Sequence, residues 1–310
     1  MPQTETSEPK RQRSMLPLSG LLLLAGLSLV WGLNWPVMTI VLGELSIWWF
    51  RSVCLIFGGF GLLAIASMTG GRVVPVKRDI GPMLLTAVFA VGGWHVCSAF
   101  GIYLMPAGRA VIIAFTMPVW TALIAAWLLG ERVTTPVIVG LLLGLAGIAV
   151  LIGADLIVFQ TAPLGAVFML GAAMSWGAGT ALFKRFNWSI PVAANMGWQL
   201  LAASVPVTAI AIVSEPWPDW VALSPLALIA LVYVLLLPMT FGQWAYFRVV
   251  GLLPATVAAM GTLAIPIVGV ISSSLLLGEV ISVQDVVALS LICGALIVVL
   301  IVPAFRGAAR

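Results

Sequence analysis

Leu104–Glu131 reads LMPAGRAVIIAFTMPVWTALIAAWLLGE, and Leu252–Glu279 reads LLPATVAAMGTLAIPIVGVISSSLLLGE. Aligned at an offset of 148 residues without a gap, the two stretches share nine of their 28 residues, including a final Leu-Leu-Gly-Glu. The matched prolines are Pro106 with Pro254 and Pro118 with Pro266. Each stretch contains an apolar run of about 20 residues, the length that an α-helix needs to cross a bilayer. The two stretches therefore indicate an internal repeat of membrane helices.

The composition of the whole chain is that of a membrane protein. Hydrophobic residues make up 62% of the 310 residues and charged residues 8%, whereas soluble domains hold roughly 45–50% and 25%. So few charges exclude a soluble enzyme, a nucleic-acid-binding domain and a disordered chain. Continuous apolar runs exclude an outer-membrane barrel, whose strands alternate apolar and polar residues. We interpret the basic pI, about 9.3, as charge on cytoplasmic loops.

Apolar runs between charged residues and Pro or Gly breaks predict ten spans joined by short loops. The predicted spans cover residues 16–35, 46–68, 80–103, 107–129, 135–153, 164–184, 192–213, 224–247, 254–277 and 285–303. In this map all of the 14 Lys and Arg except Arg51 and Arg109 fall on the side of the N-terminus. Both termini are therefore predicted to be cytoplasmic. The predicted units are a disordered tail at 1–14, a five-helix repeat at 15–154, a second at 155–304 and a cytoplasmic tail at 305–310.

The two halves are predicted to have opposite orientations in the membrane. Each holds five spans, and an odd number places the second half upside down relative to the first. Trp31-Gly32 in the first span matches Trp176-Gly177 in the sixth at an offset of 145. Inverted repeats are typical of secondary transporters, which hold their substrate near the bilayer midplane between the halves. We therefore expect an all-α polytopic membrane protein with ten transmembrane helices in two inverted five-helix repeats.

Few polar side chains lie deep inside the predicted spans, which makes them candidates for a substrate site. His95, the only histidine, lies in the third span, and the offset of 148 pairs it with Gln243. Hydrogen bonding between helices is the alternative role for both residues. Tryptophans deep in a span more often pack against other helices than contact a ligand. Trp31 and Trp176 are treated as candidates because the internal repeat pairs them. The residues predicted to line a substrate cavity are Trp31, Asn34, His95, Phe115, Trp176 and Gln243.

Two prolines and two arginines carry further predictions. Pro118 and Pro266 are expected to bend the fourth and ninth spans and to serve as gating hinges, since proline kinks a helix; a static kink is the alternative. Arg51 and Arg109 lie near the outer side and are interpreted as snorkelling anchors rather than as carboxylate ligands. The sequence contains no metal-ligand, haem or nucleotide-binding motif and no nucleophile–base set, so neither a cofactor nor enzyme activity is predicted.

The sequence resembles the bacterial drug/metabolite transporter superfamily, in particular its ten-span EamA-type members. The resemblance rests on Trp31–Trp35 (WGLNW), Ser175–Gly177 (SWG), Pro118 with Leu129–Arg132 (LGER) and Pro266 with Leu277–Glu279 (LGE). Within the superfamily the chain is most similar to the YddG-type amino-acid exporters. The resemblance implies a central cavity lined by spans 1–4 and 6–9, with spans 5 and 10 peripheral. The small multidrug branch carries an essential glutamate in its first span, whereas this chain offers Asn34, which argues against strict proton antiport.

The expected function is alternating-access export of amino acids, including aromatic and hydrophobic ones, across the bacterial inner membrane. A zwitterion suits a cavity with few fixed charges, polar side chains and aromatic faces. The alternatives are a drug, nucleoside or nucleotide-sugar transporter of the same superfamily, and an uncoupled channel. The expected partners are the amino-acid substrate and the lipid bilayer, with no nucleic acid. A monomer and a dimer are both compatible with the sequence.

Overall fold

The computed structural model describes residues 18–104, 113–152, 163–277, 281 and 283–301. These residues form helices and connecting turns, and none of them belongs to a β-strand. The α-helices are α1 (Leu18–Leu42), α2 (Ile47–Met68), α3 (Lys77–Ala87), α4 (Trp94–Leu104), α5 (Met117–Leu129), α6 (Thr135–Ile152), α7 (Pro163–Arg185), α8 (Val192–Ser214), α9 (Pro225–Leu236), α10 (Gln243–Leu252), α11 (Ala255–Gly261), α12 (Ala264–Leu277) and α13 (Val283–Leu296). The π-helical segments are Val88–Gly93 between α3 and α4, Leu237–Gly242 between α9 and α10, and Ile297–Ile301 after α13. The predicted tails at 1–14 and 305–310, together with Arg109, lie outside the described residues.

Within the part of the chain that the structure describes, seven helical stretches are long and apolar enough to cross a membrane. They are Leu18–Leu42, Ile47–Met68, Lys77–Gly101, Leu164–Arg185, Val192–Ser214, Pro225–Leu252 and Ala255–Leu276. Three shorter apolar helices lie at Met117–Leu129, Thr135–Gly147 and Leu289–Val299. Large apolar side chains face outward, such as Trp127 at 84% exposure and Leu275 at 80%, which suits a surface surrounded by lipid tails. The prediction of an all-α polytopic membrane protein is confirmed.

The helices pack so that the two halves of the chain interlock. α2 packs along α8, and α6 packs along α13. α1 packs against α9, α10 and α12 of the second half, whereas α7 packs against α4 and α5 of the first half. α1 of the first half therefore packs within the second half, and α7 of the second half packs within the first. The buried core extends across both halves.

Glycines allow close backbone approach between α2 and α8. A Cβ added at Gly59 would lie 2.7 Å from Leu201 Cγ, and one added at Gly197 would lie 2.9 Å from the Gly59 carbonyl oxygen. Lipid tails are as apolar as leucine, so membrane helices are held together by dispersion and close packing rather than by a hydrophobic force. Small residues at this contact therefore stabilise the pairing of the two halves.

The fourth and ninth predicted spans are interrupted just before their prolines. α5 begins at Met117 and α12 begins at Ala264, each after a short turn. Pro118 and Pro266 therefore lie in the first turn of a helix, where the missing N–H would have had no intrahelical acceptor. The sequence predicts a bend within each helix, whereas the structure has a break that the proline follows. Their role as gating hinges stays a prediction.

Candidate substrate cavity

A cavity lies between the two halves. The space free of protein atoms in it is about 850 Å³, a volume that includes its opening to solvent. Side chains from both halves line it. The lining residues are Trp31, Asn34, Trp35, Met38, Arg51, Trp94, His95, Ser98, Ala114, Phe115, Met117, Met169, Trp176, Pro238, Met239, Gln243 and Ile265. All six residues that the sequence predicts for the cavity are among them. The two predicted hinge prolines are not, but the residue before each, Met117 and Ile265, is.

Aromatic rings and thioethers form the apolar walls of the cavity. The ring centroid of Trp176 lies 5.3 Å from that of Trp94 and 5.7 Å from that of Trp31, both edge to face. Trp35 and Phe115 form a further pair at 6.5 Å. Four methionines share the lining: Met38, Met117, Met169 and Met239. Unbranched thioethers adapt to differently shaped partners, so these walls suit large apolar side chains of more than one kind.

Arg51 brings a fixed positive charge to the cavity. It lies in the second turn of α2, and its guanidinium reaches α4, where Nη1 is 3.1 Å from His95 Nδ1 and Nη2 is 3.2 Å from Ser98 Oγ. An arginine side chain keeps its charge under ordinary conditions. No carboxylate is among the residues that line the cavity, and within the described part of the chain the one ion pair joins Arg78 to Asp79. The described protein therefore offers Arg51 no counter-ion.

The contact with Arg51 fixes the role of His95. A guanidinium has only donors, so His95 Nδ1 accepts the hydrogen bond and the ring proton sits on Nε2. His95 is 3% exposed, and its ring lies beside the guanidinium of Arg51. Together with Ser98, His95 holds the guanidinium in place at the cavity wall.

Two π-helical segments precede the predicted polar pair of the cavity. Val88–Gly93 leads into α4, two residues before His95, and Leu237–Gly242 leads directly into Gln243. The segments begin at residues 88 and 237, which are 149 residues apart, one more than the offset that pairs His95 with Gln243. Extra residues of this kind in a helix often occur at functional sites. Each segment shifts the register of its helix just before a side chain that lines the cavity.

Side chains from the opposite half bond carbonyls inside these π-helical segments. Ser175 Oγ of α7 donates to the Phe89 carbonyl oxygen at 2.9 Å. Trp31 Nε1 of α1 donates to the Pro238 carbonyl oxygen at 3.1 Å. The two acceptors are 149 residues apart, as the segments are. Each half therefore stabilises the irregular backbone of the other at the edge of the cavity.

Two amide oxygens at the cavity lack a hydrogen-bond partner within the described part of the chain: Asn34 Oδ1 and Gln243 Oε1. An unpaired buried polar group costs about 1–3 kcal/mol. These atoms therefore mark positions where a ligand would find acceptors. Across the described residues, no group of three or more His, Cys, Asp or Glu side chains could hold a metal ion.

The two-part architecture has a match among known protein families. The family model of the EamA-like transporter family matches residues 18–153 and 163–301. The chain belongs to the EamA-like transporter family. The resemblance to EamA-type members of the drug/metabolite transporter superfamily is thereby confirmed.

Relatives of this EamA-family chain are named as transporters. The uncharacterized transporter YvbV of Bacillus subtilis (strain 168) is 28% identical over 284 residues, 90% of this chain and 88% of the relative. The probable amino-acid metabolite efflux pump of Escherichia coli (strain K12) is 26% identical over 261 residues, 81% and 84% of the two chains. The uncharacterized inner membrane transporter YedA of the same strain is 26% identical over 290 residues, 93% and 92%. The family and these relatives are transporters rather than enzymes.

A solved crystal structure shares the fold of the EamA-family chain. It superposes with a TM-score of 0.79 at 20% sequence identity, and the match covers 93% of this chain and 98% of the other. At this identity the likeness concerns the fold alone.

Arg51 is the cavity residue that sequence reasoning misplaced. The sequence favours a snorkelling anchor at the membrane interface, and that interpretation is wrong because the guanidinium turns inward to His95 and Ser98. The available signal was position: Arg51 lies five residues inside the predicted span 46–68, and ionisable groups inside spans are functional candidates. Ser98 and the four cavity methionines carried no such signal, because serine and methionine are common in packed membrane helices.

Proposed function

We propose that this EamA-family transporter exports amino acids, including aromatic and hydrophobic ones, across the bacterial inner membrane by alternating access at the central cavity. In this proposal ten spans form two inverted five-helix repeats, both termini are cytoplasmic, and the substrate binds between the halves. The observation that carries the substrate class is the guanidinium of Arg51, which lines the cavity without a carboxylate partner.

A buried arginine without a counter-ion favours an anionic ligand group. Placing an arginine at the centre of a membrane helix costs about 2.5–3.5 kcal/mol on insertion scales. Such residues are retained where a partner is supplied, and a carboxylate matches the planar guanidinium with two parallel hydrogen bonds. The carboxylate of an amino acid supplies that partner, while its side chain packs on the tryptophans and methionines of the cavity walls.

The charge of the cavity also argues against the main alternatives. A cationic drug would bring its charge close to Arg51, and none of the described residues that line the cavity has an acidic side chain to offset it. A nucleotide sugar carries a diphosphate and calls for several cations, but Arg51 is the one Lys or Arg among the described residues that line the cavity. One fixed positive charge suits a substrate with one carboxylate.

Two features support alternating access. α1 and α7 are exchanged between the halves, which is the contact pattern that a twofold-related repeat produces. The lining residues Met38 and Arg51 place the cavity near the α1–α2 connection. The opposite end is filled, with the Phe183 and Phe247 rings 4.7 Å apart and Lys184 Nζ donating to the Val250 carbonyl oxygen at 3.1 Å. With both termini in the cytoplasm, we take this arrangement as the outward-facing state.

Counterflow in proteoliposomes tests the proposal. Vesicles that contain the purified chain are loaded with unlabelled amino acid, and uptake of labelled phenylalanine, methionine or threonine is followed. We expect saturable uptake that unlabelled amino acids compete. Truncating one member of a buried charge pair costs about 2–5 kcal/mol, so Arg51→Gln is expected to raise the half-saturating concentration at least about tenfold.

The matched control is Arg248→Gln, the same change at an exposed arginine of α10 that does not line the cavity. It is expected to leave counterflow unchanged. Equal effects of the two variants would refute the role of Arg51. Exchange of a cationic drug or a nucleoside, with none of any amino acid, would refute the substrate class. Flux that neither saturates nor shows counterflow would indicate a channel.

A further inference from the structure

We propose that the side-chain oxygens of Asn34 and Gln243 bind the ammonium group of the substrate, so that the cavity has an ammonium site distinct from the carboxylate site at Arg51. This inference rests on the proposed function, since it takes the ligand to be an α-amino acid. It assigns a role in specificity to two side chains that carry no charge.

The first observation is the pair of unpaired acceptors. Gln243 is 5% exposed, and its Oε1 has no hydrogen-bond partner among the residues that the structure describes. Asn34 Oδ1 is buried and equally without a partner there. A protonated primary amine carries three donors and no acceptor. One ammonium group therefore has enough donors for both oxygens, with a third donor left for water.

The second observation is that both amides line the same cavity as the indole of Trp31. Asn34 follows Trp31 by three residues on α1, which places the two side chains on one helix face. A Cβ added at Gly242 would lie 2.3 Å from Trp31 Nε1, so the backbone directly before Gln243 packs closely on this ring. Trp31 in turn meets Trp176 edge to face at 5.7 Å. Indole faces attract ammonium groups by cation–π interaction, which adds to the two acceptors.

The third observation is that the two amides and the cation are carried by different helices. Arg51 is held on α4 by His95 and Ser98, whereas the amides lie on α1 and α10. An ammonium group is repelled by the guanidinium and attracted to the neutral oxygens, and a carboxylate has the opposite preference. The two sites therefore orient a zwitterion in one direction, with its side chain left free to meet the aromatic and methionine walls.

Two probes separate the two sites. L-phenylalanine carries both charged groups, and phenylpropanoate has the same ring and carboxylate without the ammonium. Binding of each is measured by calorimetry on the full chain in nanodiscs. We expect the wild type to prefer phenylalanine by about tenfold or more, the size of one or two hydrogen bonds to a charged group.

The variants Asn34→Leu and Gln243→Leu remove the acceptors at similar side-chain volume. Each is expected to weaken phenylalanine about tenfold while phenylpropanoate changes less than about twofold, and the retained phenylpropanoate affinity shows that the variant is folded. Gln243→Glu and Asn34→Asp keep an acceptor and are expected to retain phenylalanine binding. Arg51→Gln is expected to weaken both probes.

Two results would overturn the inference and leave the proposed function standing. One is an equal loss of both probes in the leucine variants, which would make the amides part of the carboxylate site or of the packing. The other is a loss of phenylalanine binding in the acidic variants, which would make the amides donors. A wild type that binds neither probe nor any other amino acid overturns the proposed function itself.

Discussion

Gly179 of α7 is the position where one added methyl group is expected to disturb the cavity from a distance. A Cβ there would lie 2.3 Å from Ala90 Cα and 2.4 Å from Ala90 N. Ala90 belongs to the π-helical segment Val88–Gly93 that leads to His95. Non-bonded carbon atoms rest about 3.5–4.0 Å apart, so the overlap exceeds roughly 1 Å. The obstacle is backbone, which cannot rotate away as a side chain does.

The magnitude follows from two opposing effects. Overpacking a well-packed core costs about 1–3 kcal/mol, and contact with backbone favours the upper end of that range. Replacing glycine by alanine inside a helix gains about 0.5–1 kcal/mol. We therefore expect Gly179→Ala to lower the free energy of unfolding by about 2 kcal/mol. The displaced segment is also expected to move His95 away from Arg51 and to weaken amino-acid counterflow.

Gly171→Ala is the matched control, eight residues earlier on the same helix. Among the described residues, a Cβ at Gly171 meets only Cys97 Sγ, at 3.6 Å, an ordinary van der Waals contact. This variant is expected to be as stable as the wild type or slightly more stable. Unfolding by SDS titration in mixed micelles, followed by tryptophan fluorescence, compares the three proteins. Equal stability of the two variants would refute the close approach of α7 to the π-helical segment.

Two contacts at the ends of the bundle give further predictions. Hydrogen bonds from the Ser224 hydroxyl and backbone N–H hold the pKa of the Glu44 carboxyl below its ordinary value. These bonds therefore stabilise the folded protein at any pH above the ordinary pKa, and the stabilisation is lost as the pH falls through the lowered pKa. The melting temperature of Glu44→Gln is therefore expected to lie below that of the wild type at neutral pH and to approach it in acid. A difference in melting temperature that does not depend on pH would contradict this. Glu131 accepts hydrogen bonds from Ala255 N at 2.8 Å and Thr256 Oγ1 at 3.1 Å at the start of α11. Loss of this cap in Glu131→Ala is expected to cost about 1 kcal/mol in the SDS titration, and an unchanged midpoint would show that the cap is dispensable.

Helix positions were predictable where charged or polar residues flank an apolar run. α2 and α8 begin and end within one residue of the predicted spans 46–68 and 192–213. The predicted end of the first span at residue 35 is wrong. Trp35-Pro36 is typical of a helix end, but α1 continues to Leu42 with Pro36 inside it. A proline in a membrane helix is tolerated where neighbouring helices satisfy the freed backbone, and a single sequence does not show those neighbours.

The sequence predicted those cavity residues that are polar inside an apolar span, where burial is costly, or that are paired by the internal repeat. His95 and Gln243 are polar groups in apolar spans, and Trp31 and Trp176 are paired by the repeat, so each was singled out by sequence. The pairing of Arg51 with His95 joins residues 44 apart in the chain, and no local pattern records it. The π-helical segments also lack a compositional signal, since their residues are ordinary for a membrane helix.

Two carboxylate–serine contacts show which parts of the bundle are fixed. Glu44 accepts a hydrogen bond from Ser224 Oγ at 2.6 Å, and Asp79 accepts one from Ser189 N at 3.1 Å. Adding 145, the offset between Trp31 and Trp176, to 44 and 79 gives 189 and 224. The contacts therefore occupy corresponding positions with acid and serine exchanged, and each joins one half of the chain to the other.

Because both contacts form in the same structure, at opposite ends of the bundle, they are not gates that close in turn. They are fixed contacts that hold the two halves together. If the halves alternate as proposed, the movement must occur where the helices are irregular and line the cavity. These places are the break before α5, the break before α12 and the two π-helical segments, and each supplies a cavity residue or lies within two residues of one. The irregular backbone, rather than the prolines alone, is then the element that bends.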